Sequence, residues 1–544
     1  MRPSDQVTEG GIALVWPPVW TYTSVPADLS ETGGALAAMG APVRLWDLSA
    51  GLLGRLLAGP HLDALREWRT YADPAAHAAA AEGLDRAAAA ISAQFGVQYA
   101  PRRLVFPDLD EDHVAGAWKV GLDPARNPAL AFLDEAAGRI LADAPAVVAI
   151  GLGFPTQRVC ALALARLLRR RGYQGFIVLY GSLQDEIAPE DFAPDLAGQP
   201  AHLLFTDFDG AVLGEAETAL FALWRAETGQ GAIGEVPNLI AKRTGLVLPP
   251  RRDEALSTLG PPLFTGLRAE DYCTPTPVVD LRLGRGCPWG RCTFCAIHVH
   301  QPGYRAGPVA RLIEGFIAAH QQLGAIFFRV RDDLVTPRQL REIAAAVSEL
   351  PFRPRWSARV RFEDALTLDT LQRAAAAGLE ELWIGLESGS ERVRALMDKG
   401  VSQATVERVL ESCAAAGVRV RALCLLGHPG ETVEEATATV DLLLSRPHQI
   451  AAASLSPFQL MRRSPMGQDP GRFGLSVRPD PLPRHARLRF ALPATWPGQL
   501  TRAEMAPLLA RVEAELLPRL RAELRPDASH GWIAASARRD PKFP

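Results

Sequence analysis

The chain has 544 residues, 48% of them hydrophobic and 22% charged, with a net charge of -3; it is too long for one hydrophobic core and too apolar for disorder. This balance gives no electrostatic reason to expect a nucleic acid or an anionic membrane as partner. The start of the sequence has no signal-like apolar stretch, and no run of about 18 apolar residues follows. Seven cysteines in so long a chain form no disulfide framework, so a cytoplasmic, reducing location is expected.

In chain order, residues 12–16 read as a strand stopped by Pro17-Pro18, residues 30–39 as a helix and residues 43–46 as a second strand. Residues 50–100 are rich in Ala and Leu at helical spacing and predict an added helical layer. Alternation resumes with a helix at 129–142, a strand at 146–150, a helix at 156–170, strands at 176–180 and 202–205, and a helix at 215–226. The basic run 169–171 reads as a solvated helix end favoured by the helix dipole. Five strands interleaved with helices predict an α/β fold, a doubly wound parallel sheet spanning 1–235.

Pro249-Pro250 and Pro261-Pro262 mark 236–275 as a linker. Strands then recur at 279–284, 325–330, 354–360, 381–386, 418–426 and 450–458, with helices between them. That pattern predicts a partial (β/α)6 TIM-like barrel over 276–470, with its active site at the carboxyl ends of the strands. Residues 471–544 read as a small helical C-terminal region, with a helix near 501–524 and a polar tail.

The first barrel strand runs into Leu-Gly-Arg-Gly-Cys-Pro-Trp-Gly-Arg-Cys-Thr-Phe-Cys, which carries Cys287, Cys292 and Cys295. Three thiolates on one loop can hold a metal centre and leave one coordination position open, as a substrate-binding cluster requires. With His298 the same thiols could instead close a zinc site, although structural zinc sites usually draw their ligands from two separated knuckles. No phosphate-cradling Gly-Lys-Ser/Thr loop, His-Glu-x-x-His helix or Gly-x-Ser-x-Gly elbow occurs.

The loop resembles the signature of the radical S-adenosylmethionine (SAM) superfamily, which ends in Cys, any residue, aromatic, Cys; Phe294 supplies the aromatic. Four residues separate Cys287 from Cys292, where three are usual. The resemblance implies a [4Fe-4S] cluster on the three thiols and a free iron that chelates the amino and carboxylate groups of SAM. It also implies an electron donor such as a flavodoxin or ferredoxin. Asp332 or Asp333, after the second strand, would then accept the methionyl amino group. Glu387 and Ser388, after the fourth, would hold the ribose, and Gly427, after the fifth, would admit the adenine. Without the resemblance, Asp332 and Asp333 read as helix-capping acids and the 385–390 segment as an N-cap.

Residues 1–235 resemble the cobalamin-binding domain of one subgroup of that superfamily. The likeness rests on Pro17 in Val15-Trp16-Pro17-Pro18, on Gly151, Gly153, Thr156 and Gln157 after the third strand, on Gly181-Ser182 after the fourth, and on Gly214-Glu215 after the fifth. The axial-histidine motif of other cobalamin proteins is missing, and no histidine precedes His61. Two other readings stand beside this one: a partial dinucleotide fingerprint in which Thr156 replaces the third glycine, and a domain that only packs on the barrel. The expected function is a cobalamin-dependent radical SAM enzyme, first of all a methyltransferase acting on an unactivated carbon of a natural-product or peptide precursor. A cyclase or rearrangement enzyme without methyl transfer, and a zinc-stabilised binding scaffold, are the alternatives. Trp496, Trp532 and the C-terminal arginines could close the cavity or recognise the substrate.

Overall fold

The computed structural model describes residues 10–110, 112–181, 189–192, 201–247, 249–297, 301, 303–488, 491–516 and 528–539. Continuous apolar runs build the first sheet: β1 (Ile12–Trp16) is buried throughout, as a parallel strand covered on both faces must be. It pairs in parallel with β3 (Val43–Asp47) on one side and β4 (Val147–Gly151) on the other. Beyond β4 lie β5 (Phe176–Tyr180) and β6 (Gly210–Val212), also parallel, and then β7 (Leu239–Ala241), which is antiparallel.

Three local expectations change. Residues 203–206 form a short 3-10 turn capped by the His202 ring, and the fifth strand is β6. An apolar tetrapeptide carries too little periodicity to separate the two, and Leu204 and Phe205 are buried either way. Part of the expected linker is the edge strand β7. Arg169 is no solvated helix end, because it donates to the carbonyls of Tyr173, Gly175 and Asp207 and pairs with Asp209, pinning the start of β5.

The second sheet is parallel and holds β8 (Val278–Leu281), β9 (Phe327–Val330), β10 (Arg355–Val360), β11 (Leu379–Glu387), β12 (Arg419–Leu426) and β13 (Ile450–Pro457) in sequence order. These six strands of the partial barrel fall where alternation placed them. A seventh comes from the other domain: β2 (Ser24–Val25) pairs with Val278 and Val279 on the outer edge of β8. Polar and only two residues long, β2 has no sequence signature.

The expected polar tail is also different. Helix α6 (Ala528–Arg539) is buried from Ser529 to Ser536 and inserts between the N-terminal helical layer and the barrel. The Ser529 hydroxyl meets Thr23 Oγ1 at 2.7 Å and accepts from Arg329, the His530 ring meets the Tyr71 hydroxyl at 2.6 Å, and the Trp532 indole donates to Glu380 at 2.8 Å. One helix thus touches the N-terminal loop, the helical layer and two barrel strands. Truncating the fully buried Trp532 to Ala is expected to cost about 3–5 kcal/mol, read as a lowered midpoint in urea unfolding of the full chain.

Candidate active site

Beyond β8 the chain pairs Gly284–Arg285 with Arg305–Ala306, and this ribbon closes the base of the cysteine loop. Gly286 and Gly290 take φ of 81° and 59°, and a Cβ on Gly286 would lie 2.7 Å from the Gly303 carbonyl, so only glycine turns the chain there. The loop is pinned to the turn that follows the short helix Glu391–Leu396 after β11. The Trp289 indole donates to the Asp398 carbonyl at 2.9 Å, Arg291 forks onto the Asp398 carboxylate, and the Thr293 N–H reaches Met397. The segment lengthened between Cys287 and Cys292 contains Trp289, whose ring lies under Arg361 at 3.8 Å and against Gly400, where a Cβ would clash.

All three thiols are half-buried. Burial pushes Cys295 up to about 12 and raises Cys292, against the pull of the nearby Lys399 cation. Such thiols become thiolates by binding a metal, not by titration near neutrality. Among the described residues no three Cys, His, Asp or Glu side chains converge on a position for one ion. His298 lies outside the described residues, so the zinc arrangement with that ring has no geometry here.

The strand ends separate the residues that the sequence left paired. Asp332 is buried and accepts the N–H groups of Leu283 at 2.7 Å and Gly284 at 2.8 Å, stapling β9 to the start of the cysteine loop. Burial raises its pKa to about 7. Neither acid caps the next helix, which starts at Pro337 under a Thr336–Gln339 capping box. Asp333 lies within electrostatic reach of Cys295.

Glu387 holds a left-handed backbone, φ 64°, and its carboxylate accepts from Lys399 Nζ at 2.7 Å. Burial opposes the charge on Lys399, but Glu387 and Cys292 outweigh it and raise the pKa. Ser388 points inward, meeting Thr439 Oγ1 at 3.2 Å, and the helix that follows is capped by Ser390. Gly427 has φ 80° and donates to Glu431; a Cβ there would lie 3.2 Å from the Met505 sulfur of α5 (Arg502–Arg511). The C-terminal region therefore covers the end of β12. Next to Gly427, His428 is buried with both ring nitrogens unpartnered, edge-on to Phe458, which is edge-on to Trp496. Sequence reasoning missed Lys399, Glu431, His428 and Met505. Glu431 and His428 share the Gly427 turn, whereas only the fold brings in Lys399 and Met505.

At the carboxyl edge of the first sheet, Gln157 accepts from Gly153 and Phe154 N–H and donates to the Pro17 carbonyl, while the Thr156 hydroxyl donates to Val19. These two side chains tie the rim loops to each other. A Cβ on Gly151 or Gly153 would lie 2.5 or 2.7 Å from the Trp16 ring, so both glycines make room for that indole. Gly181 and Gly214 have positive φ, and Ser182 lies outside the described residues. Among the described residues, the buried Trp16 indole N–H and Tyr180 hydroxyl meet no hydrogen-bond partner. Trp20 stacks on Phe154 at 3.4 Å between ring centroids.

Glu215 turns away from this rim into an ion-pair seam. It pairs with Arg285 at 3.1 Å and with Arg305, and it accepts the Glu254 N–H. Glu217 pairs with Arg285, and Glu31 takes both the N–H and the guanidinium of Arg282, which also meets Asp28 at 2.8 Å. The arginines at 282 and 285 lead directly into the cysteine loop.

Residues 281–443 match the Radical SAM superfamily, so the barrel is a radical SAM domain. The fold extends further. Over 92% of this chain and 88% of the other, it superposes on the radical SAM methyltransferase TsrM from Kitasatospora setae with a TM-score of 0.61 at 17% identity. Over 97% of this chain and 75% of the other, it superposes on the cobalamin-dependent SAM radical enzyme OxsB with a TM-score of 0.60 at 12% identity. Among curated relatives, an uncharacterized methyltransferase of Pyrococcus horikoshii is 24% identical over 244 residues, 43% of this chain and 52% of that protein. A tRNA-2-methylthio-N(6)-dimethylallyladenosine synthase of Chloroflexus aurantiacus is 26% identical over 218 residues, 36% and 45% of the two chains. The chain thus spans about half the length of the curated relatives it matches.

Breaking the seam at one partner leaves a buried charge unpaired. Arg285→Met, which leaves the buried Glu217 without the arginine it meets, is expected to cost about 3–5 kcal/mol, whereas replacing Arg285 and Glu217 together by Met and Leu should cost far less. A double-mutant cycle in urea unfolding measures the difference.

Proposed function

We propose that the protein is a cobalamin-dependent radical SAM methyltransferase that alkylates an unactivated carbon of a small-molecule or peptide precursor. The single observation that carries this reading is the cysteine loop, presented by a radical SAM barrel and fixed by ion pairs to a doubly wound domain. When bound, a [4Fe-4S] cluster held by Cys287, Cys292 and Cys295 would supply the electron that cleaves SAM, and cobalamin would supply the methyl carrier. An external donor of the flavodoxin or ferredoxin type supplies that electron.

The residues present fit both cofactors. Asp333, within electrostatic reach of Cys295, would accept the methionyl ammonium group, and the buried Lys399 would supply positive charge beside Cys292, as an anionic cluster or a carboxylate requires. Glu387 is the ribose acceptor in this reading, with its free lone pairs oriented by Lys399. In the other domain, the unpartnered Trp16 indole and Tyr180 hydroxyl end β1 and β5, where a ligand of a doubly wound sheet sits. No described histidine stands at those strand ends, so cobalamin would be held without an imidazole ligand from them. The Phe458–Trp496 pair and α5 then close the barrel mouth and exclude water from a radical. Among the described residues no helix is long and apolar enough to cross a membrane.

Anaerobic reconstitution of the full chain is expected to yield bound iron, sulfide and cobalamin, formation of 5'-deoxyadenosine and S-adenosylhomocysteine, and a product heavier by one methylene unit. A chain that retains stoichiometric zinc and forms neither nucleoside product overturns the reading, and a product of unchanged mass moves it to ring closure or rearrangement. The adjacent acids give a sharper check. Asp333→Asn is expected to weaken SAM binding roughly tenfold with little change in stability, whereas Asp332→Asn leaves a loop N–H unpaired and costs about 1–3 kcal/mol in folding.

A further inference from the structure

Inside the barrel, alternate residues of neighbouring strands form two rows across one face of the sheet. The lower row runs Asp280, Arg329, Ser357, Glu381, Arg419 in strand register. In the upper row Arg359 lies beside Trp383 and Trp383 beside Arg421, with Arg331 one step beyond the register of β9. The rows differ in charge. Asp280 and Glu381 balance the lower one: Asp280 lies 3.5 Å from Arg329 and Glu381 3.8 Å from Arg419, while Glu381 also takes Arg421 of the upper row in a fork at 3.1 and 3.3 Å. The upper row holds three arginines and no carboxylate.

Arg359 has no carboxylate partner among the described residues, and the nearest to Arg331 is Asp280 at 3.8 Å. Arg331 and Arg421 each lie over the Trp383 ring system, 5.8 and 4.9 Å from its centroid. Burial lowers the Arg331 pKa to about 10 despite Asp280, and Arg359, Arg329 and Arg102 push it the same way. Like charges gathered in a shielded place cost free energy unless a counter-charge joins them. A cavity of about 10 Å³ lies among Arg329, Arg331, Ser357, Arg359 and Trp383, the scale of about one water-sized group. It suits one end of a ligand and not the whole of it. Arg331 precedes Asp332 and Asp333, so the cavity opens next to the residues that meet the cysteine loop.

We propose that the substrate carries an anionic group, a carboxylate or a phosphate, which docks on Arg331 and Arg359 beside Trp383. This specificity site rests on the radical SAM reading and names the class of molecule that enters the barrel. Paired guanidinium forks recognise the planar or tetrahedral oxyanion, and the remainder of the molecule extends toward the cysteine loop. A substrate without such a group would leave the two arginines uncompensated.

The test uses the full reconstituted chain and inorganic phosphate as probe, with arginine-selective dicarbonyl labelling mapped by peptide mass. Phosphate is expected to slow labelling of Arg331 and Arg359 roughly tenfold while leaving the exposed Arg69 unchanged. In Arg359→Gln the protection of Arg331 is lost, and in Arg359→Lys, which keeps the charge, part of it remains. Equal labelling with and without phosphate overturns the proposal, as does an Arg359 that resists labelling in both conditions. Protection by SAM alone as strong as that by phosphate also overturns it, since the anion would then be the cofactor's carboxylate. Labelling requires no radical chemistry, so a chain that protects these arginines but forms no 5'-deoxyadenosine refutes the enzymatic reading and not this site.

Discussion

The buried ion-pair seam is the constraint on which the rest of the structure depends. Glu31, Glu215 and Glu217 are all nearly inaccessible to water, and each would be prohibitive to bury without the arginine it meets. Those arginines are residues 282, 285 and 305, the entry and exit of the cysteine loop. A salt bridge of this kind contributes little net stability, but it admits one arrangement only, because any shift leaves a charge uncompensated. The doubly wound domain therefore sets the position of the three thiols, and Asp332 completes the task from the barrel side by holding the two N–H groups between the arginines.

The same fold occurs in TsrM and OxsB at identities of 17% and 12%. Strand pairing and apolar faces tolerate many sequences, since volume and pattern suffice for a core. Positions bound by close approach do not. Gly151 and Gly153 face the Trp16 ring, and Gly400 faces Trp289, so the indoles and glycines are fixed as sets.

The barrel was the most legible part of the sequence, since six strands with period-two alternation and short connections leave few alternatives. The cysteine loop was legible as a loop of three ligands. Side-chain partners were not. Glu215 stands in a glycine-rich turn that reads as a ligand rim, yet its carboxylate is drawn to Arg285 and Arg305, 70 and 90 residues further along the chain. Asp332 and Asp333 are chemically identical neighbours, and only the fold shows that Asp332 is the one that staples Leu283 and Gly284. Lys399 lies on a turn without a motif, and β2 and α6 are polar or small-residue segments whose burial depends on surfaces formed elsewhere.

The contacts of β2 and α6 also set an order of events during synthesis. The Thr23 hydroxyl is bonded to Ser529, 506 residues later. At about 5–20 residues per second, a ribosome needs roughly 25–100 s to deliver the second partner after the first. Throughout that interval the edge of β8 has its neighbour β2, but the space between barrel and helical layer that α6 fills stays open. That space fills only once residues 529–536 have been made, so α6 acts as the keystone of the loop that carries Thr23.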